Sequence, residues 1–487
     1  MTARPWATII AGLLLALTPP AAPAAPAAAS GTIASAAGTQ PDALLYAIFK
    51  QLVEINTADS VGNVTTAAEA MAQRFREAGF AAADVVVTGP DDRKKNLVVR
   101  LHGRGEHRPV LLMGHLDVVE ARREDWSTDP FKLIEKDGYF YGRGTLDMKG
   151  PDAIMVATLI ELKREGFQPA RDVILALTAD EEGGCCNGVS WLLGNHRELI
   201  DAQFALSQDD YSVMLEQGRP MFFKLDASEK VYADYQLMVT SRGGHSSEPG
   251  PDNAIYTLTR GLNRLAAYEF PFELNNVTRE YFQRMAGLVG SQRAADMRAV
   301  VRSPPDPRAL ARLSADVVEH PVMRTTCVAT RLEAGHANNA LPQRAQAVVN
   351  CRILPGHSPR EIQQALASVL ADAAITVRYI SSGGQVLEQA PEQRGFAPPP
   401  LLPEVIAPLE QLVAEMWPNL QVIPYMSAGA SDAVYTSAAG IPTYTFAGLA
   451  VDADDDREHG RDERLGVESF YRGREFFYRF LKSLTVH

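Results

Sequence analysis

The sequence predicts an α/β protein built on a mainly parallel sheet, with a smaller α+β segment inserted into it. Apolar runs of strand length recur along the chain, and polar residues follow the end of each run. Segments with helical spacing separate the runs, which is the order of parallel βα units. From about residue 232 to about residue 380 the pattern changes. Because ligands of parallel sheets gather beyond the carboxyl ends of the strands, the polar residues there are candidate site residues.

Length and charge narrow the class of protein. The chain has 487 residues and a net charge of -12. This length is too great for one hydrophobic core and predicts two domains once a targeting segment is removed. The negative charge comes without a basic block, which argues against nucleic acid or an anionic membrane surface as the partner.

The first residues predict a secretory signal. Arg4 is a positive start, residues 7–17 are an apolar run too short to span a bilayer, and an Ala/Pro tract with A-x-A sites follows. We expect residues 1–29 to be a signal peptide, with an uncleaved anchor as the alternative. The mature protein is then exported, periplasmic or secreted, and has no membrane span.

The remaining elements follow in chain order. Helical spacing occurs at 41–55, 64–77 and 152–165, and strand-like runs at 96–101, 110–113, 173–177, 204–206 and 442–446. The run at 110–113 belongs to PVLLMGHLDVVE, in which His115 and Asp117 come at the strand's end. Alternate residues of an extended backbone point to the same side, so these side chains can reach one point. They are either a metal ligand with its supporting acid or a catalytic His with its orienting acid.

More acids follow the next runs. Asp147 lies in a glycine-rich approach to a helix, where it either caps the helix or bridges metals. The run at 173–177 leads into TADEEGG, with Glu181 and Glu182. Consecutive acids beside glycines are costly unless they are solvated or bind a cation. Because neighbouring side chains diverge, one Glu can bind a cation while the other faces the substrate.

Two further strand ends carry similar residues. The run at 204–206 leads into SQDDYS, with Asp209 and Asp210, and the run at 442–446 precedes an acidic loop and then His459.

The segment of different character has a βαββαβ order. Its predicted elements are strand 235–239, helix 253–268, a polar helical stretch, strands 324–332 and 346–354, helix 359–372 and strand 375–379. This order is typical of a ferredoxin-like α+β unit. The predicted domains are therefore a catalytic domain in two parts, 30–231 and 382–487, with residues 232–381 inserted between them.

The four cysteines fall into two groups. Cys327 and Cys351 lie in the two central strands of the inserted segment, where a hairpin would bring them close enough to pair in an oxidising compartment. Cys185 and Cys186 are adjacent and could form a vicinal bridge, two buried thiols or soft metal ligands.

Six motifs carry a family resemblance. GHLDVV, GRGTLDMKG, TADEEGG, GGHSSEP, NNALP and EHGRDER occur in this order over nearly the whole mature chain. They resemble the M20 family of metallopeptidases and aminoacylases, which includes glutamate carboxypeptidase and carnosinase-type dipeptidases. The resemblance implies a three-layer zinc-exopeptidase-like catalytic domain with an inserted lid or dimerisation domain, through which the chain could form a homodimer.

The resemblance also implies a role for each polar residue. His115 resembles a ligand of one metal, Glu182 and His459 resemble ligands of the other, and Asp147 resembles the carboxylate that bridges both. Asp117 resembles the acid that supports His115, and Glu181 resembles the general base. We expect two Zn²⁺ per subunit, with Co²⁺ or Mn²⁺ as alternatives, because imidazole and carboxylate ligands are mixed. Glu181 would take a proton from a water activated by the metals and pass it to the leaving amine.

The fifth ligand departs from the family pattern. Where one acid is usual, SQDDYS offers Gln208, Asp209 and Asp210. We prefer Asp209 because an anionic oxygen offsets the charge of a dication, and Asp210 is the second choice.

The inserted segment resembles the part of the family that contacts substrate. His245 resembles a histidine that stabilises the developing oxyanion, often from the partner subunit, although by itself it would be a turn residue. Asn338, Asn339 and Arg352 resemble substrate-binding positions. The guanidinium of Arg352 could grip a free carboxylate with two bonds; the alternative is a structural salt bridge.

A loop of the second catalytic part completes the expected site. Gly429 and Asp432 in SAGASDAVY resemble residues that line the same pocket, and Asp432 is equally well interpreted as a helix cap.

The sequence thus predicts an exported dinuclear zinc hydrolase that cleaves amide bonds of short peptides, as a carboxypeptidase or dipeptidase. The nearer alternative is an N-acyl-amino-acid deacylase, which would use the same metals. The remote alternative is a non-catalytic peptide-binding protein on the same fold. That alternative would be marked by loss of Glu181 or of the metal ligands, and these residues are present.

Overall fold

The computed structural model describes residues 42–183, 186–392 and 395–486. The predicted signal peptide, residues 1–29, and Cys185 lie outside the described residues. The alternatives for the Cys185 and Cys186 pair therefore stay predictions. The described residues all belong to one compact unit, Pro41–His487.

The helices and strands alternate over most of the chain. The helices are α1 (Ala43–Glu54), α2 (Val64–Glu77), α3 (Lys149–Arg164), α4 (Gly188–Asn195), α5 (Arg197–Ile200), α6 (Ala254–Ala266), α7 (Asn276–Met285), α8 (Ser291–Val300), α9 (Pro307–Ser314), α10 (Glu319–Val322), α11 (Pro359–Leu370), α12 (Pro403–Met416), α13 (Ala433–Ala438) and α14 (Val467–Val486). The strands are β1 (Val85–Thr88), β2 (Asn96–Leu101), β3 (His107–His115), β4 (Ile134–Lys136), β5 (Tyr139–Tyr141), β6 (Arg171–Thr178), β7 (Phe204–Ser207), β8 (Val213–Glu216), β9 (Arg219–Glu229), β10 (Val231–Thr240), β11 (Gly244–His245), β12 (Thr326–Ala334), β13 (Ala340–Leu341), β14 (Arg344–Ile353), β15 (Thr376–Ile380), β16 (Val386–Leu387), β17 (Val422–Ser427), β18 (Thr443–Thr445), β19 (Ala450–Asp452) and β20 (Arg464–Gly466).

A ten-stranded mixed sheet is the centre of the molecule. Its strand order is β1-β2-β6-β3-β7-β18-β9-β8-β19, with β17 paired to β9. The four middle strands, β6, β3, β7 and β18, are parallel, as the sequence predicts. Antiparallel pairs flank them, β1 and β2 on one side and β8 and β9 on the other.

Helices cover both faces of this sheet and make three layers. In β3, Val110 and Leu112 belong to the core that contains α1, α2, α3, α12 and α14. Leu111 and Met113 face the opposite core, which contains α4, α5 and α13. Strands buried on both faces need apolar residues at every position, which is why this strand appears in the sequence as a continuous apolar run.

The register of the parallel strands brings their polar ends together. His115 is opposite Thr178 at the end of β6, and Met113 is opposite Ser207 at the end of β7. The residues that follow all three strands therefore emerge at one edge of the sheet, where ligands of α/β proteins bind.

A separate five-stranded antiparallel sheet is formed mainly by the predicted inserted segment, although β10 begins at Val231 and β16, Val386–Leu387, lies beyond residue 381. Its order is β12-β14-β10-β15-β16, and α6 and α11 contribute to its core. The predicted βαββαβ order is present, with α7 to α10 as the polar helical stretch. Those helices pack against β17 of the large sheet. The boundaries 30–231, 232–381 and 382–487 remain predictions.

Cys327 and Cys351 lie opposite each other on β12 and β14. Their Cα atoms are 4.1 Å apart and a disulfide joins the two residues. Cys351 is fully buried in the core of the five-stranded sheet.

No helix within the described ranges combines the length and the apolarity that crossing a membrane requires.

Candidate active site

The imidazole of His115 lies at the end of β3 among carboxyl groups. Its Nε2 is 3.0 Å from Asp147 Oδ1 and 3.3 Å from Asp209 Oδ1. Its Nδ1 is 3.0 Å from the backbone carbonyl oxygen of Asp117, which can accept the Nδ1 proton. This hydrogen bond orients the ring so that Nε2 faces the two carboxylates, the arrangement in which a neutral histidine binds a metal.

The carboxylate of Asp117 has a different partner from the one that the sequence suggests. The sequence predicts Asp117 as the acid that supports the His115 ring, but its Oδ1 is 3.8 Å from Nδ1 while the backbone carbonyl oxygen of Asp117 is 3.0 Å from Nδ1. The carboxylate instead accepts the backbone N–H groups of Glu181, at 3.2 Å, and Glu182, at 3.0 Å. Because a carboxylate accepts several N–H bonds, Asp117 ties the end of β3 to the loop after β6.

A second imidazole completes the cluster. Nε2 of His459 is 2.9 Å from Asp147 Oδ2 and 3.0 Å from Glu182 Oε2. The carboxylate of Asp147 therefore lies between the two imidazoles, with one oxygen facing each. This is the position that a bridging ligand of two cations would occupy.

The charges in the cluster depend strongly on one another. Burial by itself would raise the pKa of Asp147, but His115 and His459 hold it well below its usual range. Burial raises the pKa of Asp209 and raises that of Glu182 to about 7. Hydrogen bonds that the imidazole donates to Asp147 and Glu182 raise the pKa of His459 to about 10. The buried acids thus need nearby positive charge to stay ionised.

The donor set fits divalent cations. One donor atom from each of His115, Asp147 and Glu182 lies within 4.8 Å of the others. Imidazole nitrogens mixed with carboxylate oxygens suit zinc and its first-row neighbours. A cation would also supply the positive charge that these buried carboxylates need.

The three candidates for the fifth ligand have different surroundings. Asp209 contacts His115, as described above. Asp210 points to Lys224, whose Nζ is 2.7 Å from its carboxylate. The side-chain amide of Gln208 is buried and has no hydrogen-bond partner in the described part of the chain. Of the three, Asp209 is placed to join the cluster.

Glu181 lies beside the cluster without being bonded into it. Its backbone N–H is held by Asp117, while no hydrogen bond between its carboxylate and His115 or His459 occurs among residues 42–183, 186–392 and 395–486. Burial raises the pKa of Glu181 well above its usual range. A buried carboxyl group with a raised pKa binds a proton more readily than an exposed one, which is a property of general acids and bases.

Asp432 lies at the N-cap position of α13, but its side chain contacts the end of β6. Its carboxylate accepts hydrogen bonds from Thr178 Oγ1, at 3.0 Å, and Asn187 Nδ2, at 2.6 Å. It makes no side-chain cap bond to α13. The predicted cap is therefore confirmed in position but not as a side-chain hydrogen bond. Burial raises the pKa of Asp432 to about 6, and its charge acts on Glu181.

The predicted substrate residues of the inserted segment lie outside this cluster. His245 is exposed, and its Nδ1 is 2.6 Å from Ser247 Oγ. Ser246 donates its N–H to the carbonyl of Asn339, which places the GGHSSEP and NNALP segments side by side. Asn338 and Asn339 are both exposed. Their substrate roles stay predictions.

Arg352 and Gly429 have local partners. The guanidinium of Arg352 lies 4.7 Å from the ring centre of Tyr232, an aromatic contact. Gly429 is exposed and donates its N–H to Ser427 Oγ. Neither contacts the cluster, and their roles also stay predictions.

Lys94 is a supporting residue that the sequence analysis did not find. Its Nζ lies 2.7 Å from Asp180 Oδ1 and 2.8 Å from Asp59 Oδ1. The other Asp180 oxygen accepts the N–H of Cys186 at 2.6 Å. Asp180 therefore fixes the conformation of the loop that carries Glu181. Of the three acids of TADEEGG, Asp180 is the one with a structural role. The backbone of Asp180 has a φ of 65°, a left-handed conformation that the sequence does not predict.

Comparison with known proteins identifies the family. The model of Peptidase family M20/M25/M40 matches residues 111–483. The chain belongs to this family. It is 26% identical to the N-fatty-acyl-amino acid synthase/hydrolase PM20D1 of Mus musculus over 399 residues, which are 78% of this chain and 75% of that protein. It is 27% identical to the probable carboxypeptidase S-like 2 of Dictyostelium discoideum over 392 residues, 77% of this chain and 72% of that protein.

Solved structures of the family share the fold. The M20 family metallo-carboxypeptidase Sso-CP2 of Sulfolobus solfataricus superposes with a TM-score of 0.67 at 16% identity, covering 91% of this chain and 99% of that one. Human carnosine dipeptidase 1 has a TM-score of 0.56 at 16% identity, with coverage of 90% and 96%. Family membership and the acid and imidazole cluster together make this M20 chain a metallo-hydrolase.

Proposed function

We propose that this M20 chain is an exported dinuclear zinc hydrolase that cleaves the amide bond before an amino acid with a free carboxylate. The observation that carries the proposal is the carboxylate of Asp147 between the imidazoles of His115 and His459. His115 and Asp209 would hold one cation, Glu182 and His459 the other, and Asp147 both. Two bound cations would supply Lewis acidity for the carbonyl and lower the pKa of a water.

Glu181 would act as the general base. It would take a proton from the attacking water while the water oxygen bonds to the amide carbon. As the C–N bond breaks, the same proton would pass to the leaving amine. This role requires a carboxylate that is near the reacting atoms but not bound to a cation. In support of this role, Asp117 accepts the backbone N–H of Glu181 and so holds this residue beside the cluster.

The substrate class follows from the relatives. One relative is named for hydrolysis of N-fatty-acyl amino acids, and another as a probable carboxypeptidase. Both names describe an amide whose leaving group is an amino acid. We therefore infer short peptides as substrates, in a carboxypeptidase or dipeptidase reaction, and N-acyl amino acids as the second candidate.

Zinc and export belong to the same proposal. Two imidazoles among five donors favour zinc, with cobalt or manganese as alternatives. The charged start and short apolar run at residues 4–17 support an exported protein, periplasmic or secreted. A homodimer formed through the inserted segment is the assembly that the resemblance implies.

The test combines metal analysis with two substrate panels. The mature protein should hold two equivalents of zinc and hydrolyse dipeptides, N-acyl amino acids or both. Glu181→Gln should keep both metals and lose at least a hundredfold in kcat, since general bases contribute about 10²- to 10⁴-fold. Glu120→Gln is the matched control, because Glu120 lies near the same strand end but is bonded to Ser60. Full activity in Glu181→Gln would show that Glu181 is not the general base.

A further inference from the structure

A buried ion pair joins the loop of Asp147 to the loop of His459. Arg143 Nη1 is 2.7 Å from Glu463 Oε2, and the side chains are 3% and 0% exposed. The two residues are 320 positions apart in the chain. Neither is among the residues that resemble metal ligands or the general base.

The carboxylate of Glu463 is saturated by four donors. Its Oε1 accepts the backbone N–H groups of Leu146, at 2.8 Å, and Asp147, at 3.1 Å. Its Oε2 accepts the N–H of Gly144, at 3.0 Å, in addition to Arg143. A carboxylate has about four acceptor sites, so none is left for a cation. Glu463 therefore fixes the main chain that carries Asp147.

Arg143 extends the same connection to His459. Its Nη2 donates to the carbonyl oxygens of His459, at 3.3 Å, and Gly460, at 2.9 Å. His459 has a φ of 58°, a left-handed conformation that residues other than glycine adopt infrequently. The guanidinium also lies over the Trp126 ring, 5.1 Å from its centre. The Arg143 guanidinium thus holds the backbone at His459 and also orients the carboxylate of Glu463.

We propose that Arg143 and Glu463 are positioning residues that set the spacing of Asp147 and His459 for cation binding. The inference rests on the proposed function, because it assigns these loops to a metal centre. The chemistry explains the residue types. Only a carboxylate accepts four N–H bonds in this volume, and only a planar guanidinium reaches both Glu463 and two carbonyl oxygens.

A purely structural pair would behave differently. Breaking any buried ion pair destabilises a protein, since one charge is left without its partner. A positioning pair must in addition change metal affinity in molecules that are still folded. The experiment therefore has to measure cation binding separately from stability and from the activity of the loaded enzyme.

The test uses Glu463→Gln and Arg143→Lys in the full mature chain. A glutamine amide has one acceptor oxygen, so its NH₂ must face two of the four N–H donors in either orientation. A lysine keeps the positive charge but loses the planar fork. The matched control is Glu319→Gln. Glu319 is also 0% exposed and bonded to an arginine, with Arg293 Nη2 at 2.6 Å, but it lies in the α7 to α10 region.

Zinc affinity is measured by competition with a chromogenic chelator, and the site geometry by the visible absorption of the Co²⁺-loaded protein. We expect about 10- to 100-fold weaker binding of at least one cation in Glu463→Gln and Arg143→Lys, the usual effect of losing a group that orients a metal ligand. Their Co²⁺ spectra should change, and activity should recover as zinc is raised. Glu319→Gln should melt at a lower temperature and bind both cations like the wild type.

The outcomes are distinguishable. If folded Glu463→Gln and Arg143→Lys bind both cations with wild-type affinity and spectrum, the inference is wrong while the proposed function stands. If Glu463→Gln does not fold, Arg143→Lys decides by the same criteria. If the wild type itself binds no metal and cleaves neither panel, the proposed function fails, and the inference fails with it.

Discussion

The disulfide between Cys327 and Cys351 allows a quantitative prediction about stability and substrate binding. The bond closes a loop with a sequence separation of 24. By the chain-entropy relation, a loop of this size lowers the entropy of the unfolded chain enough to stabilise the folded state by ~3.5 kcal/mol at 25 °C. The double variant Cys327→Ala/Cys351→Ala should therefore lower the free energy of unfolding by about this amount.

The same loop contains Asn338 and Asn339, the predicted substrate-binding residues of NNALP. Since the bond fixes both ends of the segment, its loss should raise KM while the metal content and the far-UV circular dichroism stay unchanged. A segment that becomes more mobile must be ordered when substrate binds, and this ordering opposes binding. The effect on KM applies to whichever substrate panel the wild type hydrolyses.

The assay is equilibrium urea unfolding, followed by circular dichroism, on the double variant and the wild type. Treatment with dithiothreitol should lower the stability of the wild type toward that of the variant. The variant, treated in the same way, controls for other effects of the reductant. A difference below ~1 kcal/mol between oxidised wild type and variant would refute the entropic reasoning. An unchanged KM would show that the NNALP segment does not contribute to substrate binding.

Three further predictions concern charges in the site and in the core. His115→Ala and His459→Ala should each lower the zinc stoichiometry below two, and two equivalents retained in either would contradict the assignment. In metal-free protein, burial raises the pKa of Glu182 from 4.5 to about 7. The folded state then binds the proton more tightly, so the free energy of unfolding should fall by ~3 kcal/mol as pH rises through this window. Zinc-loaded protein should not show this fall. Thermal melts over this pH range, with chelator and with added zinc, provide the comparison. Burial lowers the pKa of Lys230 from 10.5 to about 7, and its side chain is 0% exposed. The unfolded state holds the proton across that range, so stability should rise with pH from about 7 to about 10.5. Lys230→Met should lose this rise and be more stable than the wild type by ~3 kcal/mol at pH 6, once the lost bond to the Arg324 carbonyl is counted.

The strands that position the site could be predicted from the sequence. Strand β2 and helix α2 begin and end at the predicted residues, 96–101 and 64–77. The parallel middle strands are buried on both faces, so each appears as an apolar run that stops where the backbone reaches the edge of the sheet. His115 ends β3, Glu182 and Asp209 lie in the loops after β6 and β7, and the structure brings all three to one edge of the sheet.

Strands with a different environment were missed. The β8 and β9 hairpin turns at Gln217 and Gly218, whose φ values of 52° and 75° indicate a type I′ turn. The sequence there reads VMLEQGRPMFF and has no strict alternation, because β9 joins the antiparallel side of the sheet and also pairs with parallel β17. A pattern based on one buried or one exposed face does not describe such a strand.

The supporting interactions were harder to predict than the cluster itself, and the reason is physical. Sequence patterns report which side of a helix or strand is buried, a property set by residues a few positions apart. Arg143 and Glu463 lie in glycine-rich or charged loops, GRGTLD and HGRDER, where a charge is normally solvated. Both are buried because the loops fold over each other, which brings together groups 320 positions apart. Local patterns thus find the residues that could bind a cation, whereas only the three-dimensional structure shows which buried charges hold those residues in place.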